Sequence, residues 1–376
     1  MPELLFLLLP VAAAYGWFMG RNSLKTKELK GRADIARNLS SGLNFLLTDQ
    51  EDKAIEQLLE LLDVEAATID TYLALANLFR RKGDWDKAIK IHEKLHQLKL
   101  PKVKAQQIQF ELAKDYYAAG LFDRAEKLLL PLTENEQLRE GALKQLFSIF
   151  LSTHEMHKAV ALSPAVAQTQ SRSLRIALAN MQVQQLEQQP DIASLSQLAE
   201  DYPQAIRPRF ALAKLALAKQ DTATAHGAIM SILKQKPQWS ADLLPLLSQC
   251  QLEPEQWQQL LAQLADKHQN ISARLLLTDW LAEHQSLSAA EQYLLQKLQQ
   301  QPNIRLFQKL LQLRQQQSAM AGEVLESVAG LVNAYLDSKA LYSCRSCGFK
   351  TRQPYWLCPS CQQWESVEPI AGIDGR

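Results

Sequence analysis

Residues 77–95 read NLFRRKGDWDKAIKIHEKL, and residues 113–129 read AKDYYAAGLFDRAEKLL. Each stretch places an aromatic (Phe79, Tyr116) nine residues before a small Ala (Ala88, Ala125), with a glycine turn (Gly83, Gly120) between them. Apolar residues recur at three- and four-residue spacing on both sides of the glycine, which predicts two amphipathic helices joined by a tight turn. The alanine is small because two helices cross there, and the aromatic fills the space between one pair and the next.

The unit recurs along the chain. Asp52-Lys53-Ala54, Asp86-Lys87-Ala88, Asp123-Arg124-Ala125 and His157-Lys158-Ala159 place their alanines 34, 37 and 34 residues apart. Phe45 and Phe150 take the aromatic position of the outer two units, and Leu75, Leu112 and Leu146 stand thirteen residues before the last three alanines. A fixed period near 34 is the signature of stacked helix pairs. Ala193, Ala225 and Ala290 continue the ladder in weaker surroundings, a unit around Trp257 fills the gap, and Pro203, Pro237 and Pro302 punctuate helix ends. Helices at about 304–317 and 322–337 would cap the stack. These motifs resemble the tetratricopeptide repeat. The predicted fold class is all-α, a repeat superhelix over residues 36–337 with a concave face. On the first helix of successive units Asn77, Arg80, Arg81, Lys114 and Tyr117 are free of the core pattern, as are Arg207 and Lys214 further on. They are the candidate protein-binding residues, and their charge suits an acidic peptide or carboxylate. Leu43, Leu46 and Leu47 read as core.

At the other end, residues 341–364 read LYSCRSCGFKTRQPYWLCPSCQQW. Cys344 and Cys347 form one Cys-x-x-Cys pair, and Cys358 and Cys361 a second, with ten residues between the pairs. Four thiolates at this spacing reach one tetrahedral ion. Gly348 allows the positive φ that such a knuckle needs, and Pro359 pre-sets the second turn. Residues 338–376 are too few for much apolar core, so the ion supplies much of the folding energy. The segment resembles rubredoxin and predicts one bound zinc or iron. Four thiolates leave no open position for water, which argues against hydrolysis. Zinc would be structural; iron would carry single electrons. Cys250, the fifth cysteine, reads as a small buried hydrophobe.

The N-terminus predicts a membrane anchor. Leu4 to Gly20, LLFLLLPVAAAYGWFMG, carries no charge and would reach roughly 26 Å as a helix, a little short of a bilayer core of about 30 Å. Arg21, Lys25, Lys27, Lys30 and Arg32 follow it, so the positive-inside rule places the N-terminus outside and the remainder in the cytoplasm. This gives an anchor over 1–20, a basic juxtamembrane linker over 21–35, the repeats over 36–337 and the metal module over 338–376. Cytoplasmic placement agrees with thiolates kept reduced for a metal.

Composition excludes other classes. A net charge of +1 over 376 residues, without a dense basic stripe, argues against nucleic acid. GxSxG, Walker, HExxH and GxGxxG motifs are missing, and the seven histidines are scattered, so the chain reads as a non-enzyme without a small-molecule substrate.

The order of parts is itself informative. PELLFLLLPVAAAYGW and FMGR, then Gly42 to Leu47, then the two quoted repeat stretches, then YSCRSCGF and YWLCPSCQQW, together resemble the lipopolysaccharide assembly protein B family. The resemblance runs end to end and is weakest at about 165–270. It implies an inner-membrane adaptor, single-pass with a periplasmic N-terminus and its bulk on the cytoplasmic face. It implies three partners: the membrane AAA+ protease FtsH, the deacetylase that commits precursor to lipid A, and an inner-membrane regulator of lipopolysaccharide that opposes the adaptor. Two other readings are a membrane-tethered electron carrier with iron in the four-cysteine site, and a general scaffold for envelope biogenesis enzymes.

Overall fold

A computed structural model describes residues 66–317 and 322–376, together with Trp17 and Met19. The expected anchor, the basic linker and the first helix pair, with Phe45 and Ala54, lie outside the described residues. Among the described residues no helix is long and apolar enough to cross a membrane.

Among the described residues the chain is helical from 66 to 338, and it divides into two compact units after residue 149. In the first unit α1 (Ala66–Lys82) pairs with α2 (Trp85–His96), and α3 (Lys102–Ala118) with α4 (Phe122–Leu129). The fifth helix, α5 (Arg139–Ser152), runs across the division. Phe79, Ala88, Ile91, Leu95 and Ile108 form a buried core, and Tyr116 and Ala125 are buried as well. The residues that the repeat pattern assigned to the helix crossings are therefore the ones without water.

The second unit continues with α6 (Met156–Ala161), α7 (Ser163–Ala167), α8 (Arg172–Leu186), α9 (Ile192–Asp201), α10 (Arg207–Ala218) and α11 (Thr222–Gln235). Then follow α12 (Ser240–Leu247), α13 (Pro254–Lys267), α14 (Ile271–His284), α15 (Leu287–Gln300), α16 (Ile304–Gln317) and α17 (Gly322–Ser338). Asp191, Asp221, Asn270 and Ser286 cap α9, α11, α14 and α15 by accepting the backbone N–H three residues on. Each such cap satisfies a donor that the first helical turn leaves open, worth about 1 kcal/mol. Ala159, Ala225 and Ala290 are fully buried. Ala193 is not: it is exposed on α9, and Leu195, Leu198 and Ala199 face the core instead. The small-residue ladder thus slips out of phase at α9, where Leu195, Leu198 and Ala199 are the buried residues.

Four helix-pair turns share one geometry. Gly83, Gly120, His154 and Gln220 all have φ between 60° and 89°. The residue after each donates its N–H five residues back: Asp84 to Phe79, Leu121 to Tyr116, Glu155 to Phe150 and Asp221 to Ala216. This is the left-handed helix C-cap. Glycine adopts it freely, whereas a residue with a Cβ resists it by roughly 1–2 kcal/mol. The glycine signal therefore marks only two of the four turns.

After α17 the chain forms a small antiparallel sheet ordered β2-β1-β3, from β1 (Tyr342–Cys344), β2 (Lys350–Thr351) and β3 (Val367–Pro369). Tyr342 faces Thr351 on one side and Pro369 on the other. Cys344, Cys358 and Val367 are its buried centre.

Candidate metal centre

The two knuckles are built alike. Gly348 donates its N–H to the carbonyl of Cys344 at 2.9 Å, and Gln362 donates to that of Cys358 at 2.9 Å. Cys344 in turn donates to Phe349 at 2.7 Å, and Cys358 to Gln363 at 3.0 Å. Gly348 (φ 76°) and Gln362 (φ 54°) occupy the same left-handed position, one as a glycine and one as a strained residue.

These turns gather the sulfurs. All four Sγ atoms lie within 4.8 Å of one another, with Cys344 to Cys361 at 3.6 Å and Cys347 to Cys358 at 3.7 Å. A tetrahedron with metal–sulfur bonds of about 2.3 Å has edges of about 3.8 Å, so the donor set fits one four-coordinate ion. Electrostatics agree. Burial alone would push the Cys344 thiol up. The Ser366 hydroxyl at 3.3 Å and the amides of Cys347 and Ser346 outweigh it and bring the pKa down to about 6. The Phe349 amide lowers Cys347. Cys361 is pushed up to about 12, by burial first and then by the neighbouring thiols Cys347, Cys344 and Cys358, although the Gln363 amide opposes this. Four thiolates cannot share this volume without a cation to balance them. A metal would be held by all four sulfurs, and both zinc and iron accept that set.

The metal module packs on the repeats of its own unit. Glu365 is the centre of that contact. Its Oε1 accepts from the N–H of Ile206 at 2.9 Å, from the N–H of Arg207 at 3.0 Å and from Asn180 Nδ2 at 3.0 Å. Its Oε2 accepts from Ile206 as well, at 2.9 Å. The carboxylate thus caps α10 from a distant part of the chain, where the helix dipole favours negative charge. Glu365 is 6% exposed and has φ 48°, a left-handed conformation that its bonds hold in place. Burial outweighs the N–H bonds and raises its pKa above the ordinary carboxylate range.

Aromatic stacking adds to the contact. Trp356 lies parallel to Trp239, with centroids 5.4 Å apart and planes 5° apart, and Phe210 meets it edge-on at 5.3 Å. Tyr342 Oη donates to Asp242 at 2.5 Å and accepts from Arg376 at 2.9 Å. Lys236 pairs with Glu368 at 2.5 Å. Asn303, 2% exposed, donates to the carbonyls of Gly372 and Gly375 while its Oδ1 caps α16. The last residues are in this way fastened to the start of a helix.

The candidate binding residues fall into different places. Arg80 accepts no solvent role alone: it bonds Asn77, Glu111 at 2.7 Å and Asp115 at 2.8 Å, tying α1 to α3. Asp115 is fully buried and also holds His92. Lys114 pairs with Glu111 at 2.6 Å and lies over Phe110. Tyr117 packs against Phe122 with centroids 5.6 Å apart. Arg81 is exposed. In the second unit Arg207 is 8% exposed, pairs with Glu187 at 2.7 Å and lies over Trp364 of the metal module. It is thus engaged within the chain rather than offered on a free surface. Lys214 is exposed above the Phe210 ring. Sequence patterning missed Glu365, Asn180, Trp239 and Asp242, since none follows a motif and each matters only through its partner across the fold.

This arrangement defines a class: a helical-repeat protein that carries a four-cysteine metal module fastened onto its own repeats. Residues 342–369 match the rubredoxin metal binding domain. Lipopolysaccharide assembly protein B of Escherichia coli (strain K12) is 32% identical over 390 residues, covering 100% of both chains. The protein of the same name from Haemophilus influenzae is 32% identical over 99% of both chains. Among solved structures, MamA protein is 20% identical over 47% of this chain and 96% of its own, with a TM-score of 0.34. The chain belongs to the lipopolysaccharide assembly protein B family.

Proposed function

We propose that this protein is a non-enzymatic scaffold in lipopolysaccharide assembly, and that it acts as an adaptor between the membrane protease FtsH and the deacetylase of the lipid A pathway. The observation that carries the reading is the full-length identity with proteins named for lipopolysaccharide assembly. The span at 4–20 tethers the chain to the inner membrane with its N-terminus in the periplasm and the repeats in the cytoplasm, beside a membrane-anchored protease. An inner-membrane regulator of lipopolysaccharide opposes the adaptor. Holding client and protease on one tether raises their effective concentration without any chemistry by the adaptor itself.

Two surfaces suit a client. One is the α1–α3 face with Asn77, Arg80, Arg81, Lys114 and Tyr117, where Arg81 is exposed. The other is a groove of about 900 Å³ in the second unit, lined by Val160, Gln182, Gln185, Leu186 and Gln197. Its carboxamides both donate and accept, as main-chain amides of an extended peptide require. The metal module acts here as a structural fastener for the α8–α10 region, through Glu365 and Trp356.

The test is the half-life of the deacetylase in cells whose own copy of this gene is replaced. Wild-type chain restores rapid turnover, whereas a chain without residues 1–20, or with Cys344→Ser and Cys347→Ser, leaves the deacetylase long-lived. Normal turnover with the untethered chain at native expression would refute the tethering argument. Unchanged turnover in cells lacking both the chain and FtsH activity, compared with either loss alone, separates the adaptor from a general scaffold.

A further inference from the structure

The helix pair α8–α9 stands open. α1–α2, α3–α4 and α10–α11 each pack as pairs. By contrast α8 packs on α6 and α10, α9 packs on α10, and α8 and α9 barely touch each other. Ala193 holds the crossing position of the repeat count, yet it is exposed and lines the groove of about 900 Å³ between the two helices.

The facing side chains account for the gap. Gln182, Gln185 and Leu186 share one face of α8, and Ala193, Gln197 and Leu198 share one face of α9. Closing the pair would bury carboxamides where other pairs bury apolar groups. A buried carboxamide needs partners for two donors and two lone pairs, and without them it destabilises the closed form. The pair therefore stays open, with carboxamides at the surface over the more buried Val160, Leu186 and Leu198.

Part of this polar surface is already engaged. Gln197 Nε2 donates to Asp201 at 2.9 Å, and the Ser194 hydroxyl donates to Asp191 at 3.1 Å. Gln185, Gln188 and Gln189 are exposed, and their side chains make no hydrogen bond among the described residues. Among the described residues no charged side chain lines the groove. An occupant must therefore offer donors and acceptors together, without formal charge. A helix does not, because its main-chain groups are bonded internally. An extended strand does, because its N–H and C=O groups stand free along its edges and alternate side chains turn down and up. A charged side chain turned down would lose its hydration and meet no counter-ion.

We propose that the open α8–α9 pair binds an extended, uncharged peptide segment of a client protein. The client's main chain bonds the carboxamides of Gln185, Gln188 and Gln189, and its small apolar side chains rest on Val160 and Leu186. The proposal rests on the reading of the chain as a client-binding scaffold and names what this groove grips. The α1–α3 face, with its arginines and lysine, selects on charge instead.

The test uses the full chain purified in detergent and a fluorescein-labelled peptide of alternating valine and serine, followed by fluorescence anisotropy. Wild type binds it, and an about tenfold rise in salt leaves the affinity unchanged, because no charge pair forms. The same peptide N-methylated at alternate residues, or carrying glutamate in place of two valines, binds at least about tenfold more weakly. Gln185→Ala weakens binding about tenfold. Ala193→Trp fills the groove and abolishes binding, while its thermal unfolding midpoint stays at the wild-type value because residue 193 is exposed. Binding that survives Ala193→Trp, equal binding of the N-methylated peptide, tighter binding of the glutamate peptide, or no binding of the probe overturns the proposal. The N-methylated peptide and Gln185→Ala keep the test decisive should Ala193→Trp unfold. Neither protease nor deacetylase takes part in this assay. Failed peptide binding beside normal deacetylase turnover therefore strikes this proposal alone. Intact peptide binding beside an unchanged deacetylase half-life in cells lacking the chain strikes the adaptor reading alone.

Discussion

Replacing Glu365 tests the account of how the metal module is held. In Glu365→Ala three buried donors lose their acceptor: the N–H groups of Ile206 and Arg207 and the Asn180 amide. Each unmet donor costs about 1–3 kcal/mol, and removing one member of a buried charged network costs about 3–5 kcal/mol in all. Glu365→Gln keeps the shape and one accepting oxygen but turns an amide nitrogen toward N–H donors, and about 2 kcal/mol is the expected loss. That corresponds to about 30-fold easier opening. Hydrogen exchange at the amides of Ile206 and Arg207 in the full chain reads this directly, because both are covered by the carboxylate. Exchange about 30-fold faster in Glu365→Gln, and faster again in Glu365→Ala, is the expected result.

The same residue gives a pH dependence. Its folded-state pKa is raised by burial above the ordinary value of 4.5. The folded protein therefore takes up the proton before the unfolded chain does. The stabilisation is complete below the ordinary value and is lost as pH rises through the folded-state value. Protection at Ile206 and Arg207, corrected for intrinsic exchange, should rise on acidification through that window in the wild type and not in Glu365→Gln. Equal protection in wild type and both variants would refute the clamp.

Other perturbations follow from the same geometry. Chelation, or Cys344→Ser, removes much of the module's folding energy, and loss of the Trp239–Trp356 stack reports it by tryptophan fluorescence; unchanged emission after complete metal removal would contradict it. Trp356→Ala costs about 3 kcal/mol in denaturant unfolding of the second unit, since it removes stacking on both Trp239 and Phe210. Asp115→Ala breaks the fully buried link from Arg80 to His92 and costs about 3–5 kcal/mol, seen as early melting of the first unit. Gln220→Gly and Gln362→Gly each stabilise by about 1 kcal/mol, because both positions have positive φ; a lowered unfolding midpoint in either would refute the strain argument.

Much of the fold could be read from local pattern. The nine-residue aromatic-to-alanine spacing places Phe79, Tyr116, Phe150, Ala88, Ala125 and Ala159 in the core, and all six are buried. The reason is that a helix pair has one crossing point, and a crossing point demands a small residue at a fixed distance from the turn. Where the demand weakens, so does the reading. Ala193 keeps its place in the count but is exposed, since leucines on α9 make the contact. Gln220 and Gln362 occupy turns that would be marked by glycine elsewhere.

The four cysteines were legible for a similar reason: one ion needs four donors at a short spacing, and the knuckle brings its own backbone donors with it. What holds the module in place was not. Glu365 stands 159 residues from Ile206, and Asn180 is 185 residues away. Arg207 reads from the sequence as a free cation on a helix face, whereas in the fold Trp364 and Glu187 lie against it. By itself the sequence determined the repeat period, the turn positions marked by glycine and the metal donor set, all of which rest on spacing along one segment. Only the tertiary structure decided which carboxylate caps α10 and which indoles stack, because those outcomes depend on groups brought together by folding rather than by neighbourhood in the chain.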